Sequence, residues 1–123
     1  MGKTRKYTVV IPLKLLSLNE YVNLCRGNRF AAARYKEDIE KAITKYLSNL
    51  PKFNNPIHIS FIWVEANKRR DLDNICYAKK HILDALVKSG KLKDDSRKYV
   101  VGFTDSFRYA NNFQVILEIK EME

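Results

Sequence analysis

The segment Ile57–Glu65 reads IHISFIWVE and is the strongest strand pattern in this chain of 123 residues. Side chains on a strand alternate between its two faces, and here apolar residues occupy most positions on both. Two largely apolar faces indicate a central strand, or a strand covered by a helix on one side and by a partner on the other. The other predicted elements are arranged around this segment.

On the N-terminal side, Tyr7–Leu13 alternates in polarity and predicts a first strand. Phe30–Leu50 has apolar residues three and four apart, which predicts one long amphipathic helix. Between these two elements, Ser17–Asn28 is polar and reads as an irregular loop. Its last part and the residue after it, Arg26–Arg29, read as a basic turn, which is either a plain surface loop or a phosphate-contacting loop.

On the C-terminal side, a helix is predicted over Asn74–Ser89, with Asp73 at its N-cap and Gly90 just after its end. Two closing strands follow, joined by a hairpin-type connection with Arg108 at its tip; the strands are Tyr99–Asp105 and Asn112–Glu121. The expected fold is therefore α+β, with the order β-α-β-α-β-β and a mixed sheet with two helices. We expect one domain over residues 1–123.

The composition indicates a polyanionic partner. The chain has 23 Lys and Arg against 14 Asp and Glu, a formal net charge of +9. Nucleic acid is the first candidate and an anionic membrane surface the second. No apolar run approaches a membrane-spanning length, and no signal-type segment opens the chain. We therefore expect a cytoplasmic, nucleoid-associated protein without a membrane partner. Two cysteines are too few and too far apart for a disulfide scaffold or a zinc site.

A charged segment follows the strong strand, where Lys68–Asn74 reads KRRDLDN. Three cations precede two aspartates spaced i, i+2, and the pair Asp94-Asp95 follows one helix later. Converging carboxylates repel one another unless a cation lies between them, and hard oxygen ligands suit Mg²⁺. The simpler alternative is that Asp73 caps a helix and that Asp94-Asp95-Ser96 forms an ordinary turn.

Geometry sets a condition on the metal hypothesis. If Asp71 is still extended, it points the same way as Asp73, and both carboxylates can face one metal ion. A helix over Asn74–Ser89 is about 24 Å long, so Asp95 meets the other two only if its loop folds back or a second subunit supplies it. Lys80 lies seven residues after Asp73, on nearly the same helical face. Lys79 competes with Lys80 for the role of charge-stabilising lysine.

These residues resemble the RusA-type Holliday junction resolvases, which are small phage- and prophage-associated endonucleases. The resemblance is strongest over Arg69–Ser96. It includes Arg69-Arg70-Asp71-Leu72-Asp73-Asn74, Leu83-Asp84-Ala85-Leu86, Gly90 and Asp94-Asp95-Ser96. Weaker similarity extends over the rest of the chain.

The resemblance implies a compact α+β homodimer that cuts four-way junction DNA by paired symmetric nicks, in DNA recombination and repair. It implies Mg²⁺ as cofactor and no small-molecule organic cofactor. The catalytic, metal-binding aspartates would be Asp71, Asp73 and Asp95. The catalytic lysine falls at Lys80 when counted back from Asp84, whereas counting forward from Asp73 reaches Tyr77, which cannot serve as a cation.

The remaining site residues are expected to contact DNA, mainly at backbone phosphates, which position DNA without reading its sequence. They are Lys68, Arg69, Arg70, Asn74, Lys79, Arg26 and Arg29. One alternative is a non-catalytic DNA- or RNA-binding module, which explains the charge and leaves the acidic residues as caps and turns. Another is an interaction protein whose basic face meets an acidic partner.

Overall fold

The strong strand lies inside a four-stranded mixed sheet in the computed structural model, which describes residues 4–122. In chain order the strands are β1 (Arg5–Ile11), β2 (Ile57–Glu65), β3 (Val100–Tyr109) and β4 (Gln114–Glu121). Their order across the sheet is β1-β4-β2-β3. Strand β4 is antiparallel to both β1 and β2, whereas β2 and β3 are parallel. The α+β class and the interior position of β2 are confirmed.

Four helices accompany the sheet: α1 (Leu18–Gly27), α2 (Arg29–Tyr46), α3 (Leu72–Cys76) and α4 (Lys79–Lys88). The element order is therefore β-α-α-β-α-α-β-β, and the predicted order with two helices is wrong. Two helices lie between β1 and β2, and two more lie between β2 and β3. None of the helices within residues 4–122 is long and apolar enough to cross a membrane.

Helix α1 occupies the segment that was predicted to be irregular. Its N-terminus is a capping box, in which the Glu20 carboxylate accepts the Ser17 N–H at 2.9 Å and Ser17 Oγ accepts the Glu20 N–H at 3.4 Å. The Ser-x-x-Glu spacing that forms this box is visible in the sequence. The basic turn is the end of α1 and the start of α2, separated by Asn28.

The second helical region begins earlier than predicted and is interrupted. Helix α3 starts at Leu72, so Asp71 occupies the N-cap position and Asp73 lies in the first turn. Asp71 is extended (φ −72°, ψ 149°) but Asp73 is helical, so the predicted strand-like alignment of their side chains does not hold. A tight junction at Tyr77-Ala78 then separates α3 from α4, and Lys80 N–H donates to the Tyr77 carbonyl at 3.1 Å. Such i→i−3 bonds are typical of 3₁₀ geometry.

The two closing strands do not form a hairpin. Strand β3 continues to Tyr109, and Arg108, predicted at a hairpin tip, lies within this strand opposite Val64 of β2. Because β2 lies between β3 and β4, the connection from β3 to β4 crosses the C-terminal end of β2. Parallel pairing of β2 with β3 requires a crossover, which α3 and α4 provide.

One hydrophobic core joins the helices to one face of the sheet. From β2 it contains the alternate residues Ile57, Ile59, Phe61 and Trp63, all buried. The helices contribute buried side chains such as Ile43, Ala78, Ile82 and Leu86, and the neighbouring strands contribute Val9, Ile11, Leu117 and Ile119. Gly90 follows α4 with a positive φ of 79°, as predicted for the residue after a helix C-terminus.

Candidate functional site

Asp71 and Asp73 lie at the start of α3, just beyond the end of β2. Both side chains are exposed, and neither makes a hydrogen bond or an ion pair with the residues that the structure describes. The Asp71 carbonyl accepts the Ile75 N–H at 3.1 Å, so the backbone around the motif is fixed by the helix. The two carboxylates are therefore held on an ordered backbone and are free to bind a ligand.

The loop after α4 folds back along the helix. Leu92 is 1% exposed, and its N–H donates to the Leu86 carbonyl at 3.1 Å, which anchors the loop in the core. Asp95 then lies beside Lys80, with 3.8 Å between Lys80 Nζ and Asp95 Oδ2. Lys80 is the second residue of α4, so Asp95 has returned to the end of the helix that is nearer the Asp71–Asp73 motif. The loop thus folds back as far as Lys80 within one chain, but Asp71, Asp73 and Asp95 do not form a group that could hold a metal ion in the described residues.

Lys80 lies between two carboxylates. Its Nζ is 3.4 Å from Asp84 Oδ1 on the same helix and 3.8 Å from Asp95 Oδ2 on the returning loop. Asp84 was part of the sequence resemblance but was not predicted to act at the site. The i, i+4 spacing of Lys80 and Asp84 is the local signal that could have identified this pair.

Lys79 faces the sheet instead. Its Nζ is 2.9 Å from Asp105 Oδ2 on β3, and it lies over the Phe103 ring, 4.5 Å from the centroid. The other carboxylate oxygen, Asp105 Oδ1, accepts the indole N–H of Trp63 at 2.9 Å. The Lys79 side chain is therefore largely buried against the sheet (18% exposed), whereas that of Lys80 is 57% exposed beside Asp84 and Asp95.

Arg70 is bonded almost completely inside the chain. Its guanidinium donates to both oxygens of Glu65 at 2.8 and 2.7 Å, to the Leu15 carbonyl at 2.7 Å and to Glu20 at 2.9 Å. Burial alone would lower the pKa of Arg70, but the bonds to Glu65 and Glu20 outweigh it and raise the pKa. These contacts use four of the five guanidinium donors. We therefore reassign Arg70 from DNA contact to positioning of the Lys68–Asn74 loop.

The other predicted DNA contacts divide by exposure. Arg69, Arg26 and Arg29 are exposed, and their side chains make no ion pair or hydrogen bond within residues 4–122. Lys68 lies over the Tyr109 ring, 5.0 Å from the centroid. Asn74 is half-buried, and its Oδ1 atom has no hydrogen-bond partner in the described part of the chain.

Tyr77, at the α3–α4 junction, belongs to a cluster of packed aromatic rings. Its ring lies 5.6 Å from Tyr21 and 5.8 Å from His81, and Tyr35 lies 5.7 Å from His81. Burial, followed by the neighbouring Cys25, raises the pKa of Tyr77, which keeps the phenol protonated at neutral pH. Tyr77 is thus a neutral packing residue, in keeping with Lys80 as the candidate lysine.

Asp71 and Asp73 carry oxygen ligands of the type that a hard cation takes, although no three-carboxylate group is preassembled in the described residues. Within residues 4–122, no three or more His, Cys, Asp or Glu side chains are grouped so that they could hold a metal ion. Mg²⁺ is commonly bound by one or two carboxylates together with substrate phosphates and waters. Asp71 and Asp73 offer exposed, unbonded carboxylates of this kind, whereas Asp95 is placed beside Lys80.

No protein-family model matches the chain, and the search of curated proteins finds no significant match.

Proposed function

We propose that this protein is a Mg²⁺-dependent, structure-specific endodeoxyribonuclease of the RusA type. It would resolve Holliday junctions by paired symmetric nicks, in DNA recombination and repair. The main support is the return of the Asp94-Asp95 loop to Lys80, at the end of α4 nearer the Asp71–Asp73 motif. Lys80 is thus 3.8 Å from Asp95 and lies seven residues after Asp73 in the sequence, and the sequence resemblance groups these three residues together.

Each residue has a distinct task in this proposal. Asp71 and Asp73 would hold Mg²⁺, with Asp95 as the third carboxylate once substrate phosphate is present. Mg²⁺ held by these residues would activate a water molecule as the nucleophile and offset charge in the transition state. Lys80 would stabilise the negative charge that develops on the phosphoryl oxygens or on the leaving oxygen. Asp84 would hold the Lys80 ammonium in place through the 3.4 Å contact.

We infer a homodimer from the symmetry of the substrate. A four-way junction has two-fold symmetry, and two strands of like polarity are most simply cut by two identical sites on a two-fold dimer. Each subunit brings a formal charge of +9, which favours binding to several DNA arms and makes binding strongly salt-dependent.

A non-catalytic DNA- or RNA-binding module remains the second candidate. It is favoured by the exposed, unpaired arginines together with the absence of a preassembled three-carboxylate group in the described residues. Both candidates predict binding to nucleic acid, and only the first predicts nicks.

The test is incubation of a synthetic four-way junction with the protein, with and without Mg²⁺, followed by mapping of the nicks. We expect symmetric nicks that require Mg²⁺. Asp73→Asn should reduce cleavage by roughly 100-fold or more, the usual effect of losing one group that stabilises transition-state charge. Junction binding by this variant should be unchanged or stronger, because one negative charge is removed.

Asp38→Asn is the matched control, since Asp38 is an exposed aspartate on α2 and the substitution makes the same change of charge. It should cut like the wild type. Unchanged cleavage by Asp73→Asn would show that the metal assignment is wrong. Junction binding by the wild type without any nick would instead establish the binding module.

A further inference from the structure

Phe30 is the most exposed large hydrophobic residue in the described part of the chain. It is 80% exposed and is the second residue of α2, directly after the turn from α1. The next residue but one, Ala32, is buried (4%), so α2 is anchored in the protein while the Phe30 ring points outward. Burial of this exposed aromatic ring against a partner would supply favourable free energy.

The position of Phe30 is set by the backbone. Asn28 Oδ1 accepts the N–H groups of Phe30 and Ala31 at 2.9 and 3.2 Å, which caps α2. The ring is therefore presented on an ordered helix start, where stacking on a partner orders only the side chain. This arrangement lowers the entropic cost of binding.

Three arginines lie within four residues of Phe30 in the sequence. Arg26 closes α1, Arg29 opens α2, and Arg34 lies one helical turn beyond Phe30. All three are exposed and form no ion pair within residues 4–122. An aromatic ring among unpaired arginines is complementary to nucleic acid, which presents base faces and phosphates together. Were this patch to face its own copy, the same arginines would repel one another.

The turn follows a helix that contacts the segment between Asp73 and Lys80. Tyr21 of α1 is 5.6 Å from Tyr77, ring to ring, and Tyr77 is in the junction between Asp73 and Lys80. Cys25, three residues before the Asn28 cap, is close enough to Tyr77 to affect its pKa. Helix α1, which ends at the turn, thus packs against the α3–α4 junction through Tyr21.

We propose that Phe30 stacks on a base exposed at the branch point of the DNA while Arg26, Arg29 and Arg34 contact the adjacent phosphates. This inference rests on the proposed function and names the element that would distinguish a junction from a linear duplex. Extracting a base is least costly where pairing is already interrupted, so an exposed aromatic ring favours branched over continuous DNA.

The experiment measures binding and base stacking without Mg²⁺, so that it does not depend on cleavage. The probe is a four-way junction with 2-aminopurine at the branch point, compared with a linear duplex of the same sequence. We expect Phe30→Ala to bind the junction roughly 5- to 150-fold more weakly, the range for loss of one stacked base, with little change for the duplex. The fluorescence change on binding should be lost in Phe30→Ala and kept in Phe30→Tyr.

Tyr46→Ala is the matched control, because Tyr46 is a 40% exposed aromatic residue at the far end of the same helix. It lies about 24 Å along α2 from Phe30 and should bind like the wild type. Unchanged junction binding and fluorescence in Phe30→Ala overturn the inference even if the wild type cuts junctions. Loss of the fluorescence change in Phe30→Ala supports the inference even if the wild type makes no nick. A change of oligomeric state in Phe30→Ala, measured by light scattering, would assign the ring to a protein interface and also overturn it.

Discussion

Arg70 shows how a single side chain can differ from the role that its sequence context indicates. It is the third cation of a basic run, yet its guanidinium is bonded to Glu65 at the end of β2 and to Glu20 on α1. Glu65 is only 5% exposed, so its charge requires a partner. The pair connects the last residue of the strand to the residue before Asp71, which fixes where the acidic motif begins.

We predict that Arg70→Met destabilises the protein by about 3–5 kcal/mol, because the Glu65 carboxylate is left buried without its partner. Urea unfolding monitored by circular dichroism measures the change. Arg69→Met is the control, because Arg69 is exposed and unpaired in the described chain, and its effect should stay within about 0.5 kcal/mol. Equal stabilities of the two variants would contradict a structural role for Arg70.

The helices show which local signals were sufficient and which were not. The long helix α2 was predicted from its apolar spacing, although it ends at Tyr46 and not at Leu50. Helix α1 was missed although two local signals mark it: Leu18, Tyr21, Val22 and Cys25 recur three and four residues apart, and Ser17 and Glu20 form a capping box. On α4, neighbouring lysines point about 100° apart, so one faces the sheet and the other the returning loop.

Because Lys79 and Lys80 face different parts of the protein, we expect the same substitution to affect different properties at the two positions. Lys80→Met should lower junction cleavage roughly 100-fold through loss of charge stabilisation, with stability nearly unchanged. Lys79→Met should lower the free energy of unfolding by about 1–2 kcal/mol, because Lys79 is half-buried against Asp105 and the Phe103 ring. Single-turnover cleavage and thermal melting of both variants test this. Equal losses of cleavage in the two variants would contradict the assignment of Lys80, and not Lys79, as the charge-stabilising lysine.

At the scale of the whole molecule, three separate helical segments enclose one histidine. His81 of α4 is 2% exposed, packs against the rings of Tyr21, Tyr35 and Tyr77, and has no partner for either ring nitrogen in the described chain. Burial lowers its pKa below the ordinary value of 6.5, although Glu40 and Asp84 nearby act in the opposite direction. The folded protein therefore contains the neutral imidazole.

The sign of the resulting pH dependence follows from proton linkage. The unfolded chain binds a proton at His81 as the pH falls below about 6.5, but the folded chain binds it only at lower pH. Stability is then complete above this range and decreases on acidification, by at most about 1.4 kcal/mol per pH unit for one proton. His81→Phe should show a shallower loss of stability between pH 7.5 and 5, measured by urea unfolding. Identical slopes for the two proteins would show that His81 does not titrate in this way.

Local patterns of residues were sufficient to identify several of the helices and strands. The apolar residues on both faces of Ile57–Glu65 indicated an interior strand, the spacing in Phe30–Leu50 indicated a helix, and Gly90 marked a helix end. These features depend on side chains only a few residues apart, so periodicity and capping rules reach them. The length of the predicted helix likewise indicated that the loop with Asp95 must fold back to meet Asp73 within one chain, but it did not indicate the path of the loop.

Contacts between residues far apart in the chain became apparent only in the folded protein. It placed β2 between β3 and β4, brought Asp95 back to Lys80, and bonded Arg70 to Glu20, which lies 50 residues away in the chain. Such contacts depend on the packing of the whole core and on the paths that the loops take around it. A short window of sequence contains no information on either, because the free energy of these contacts is shared by residues from every element.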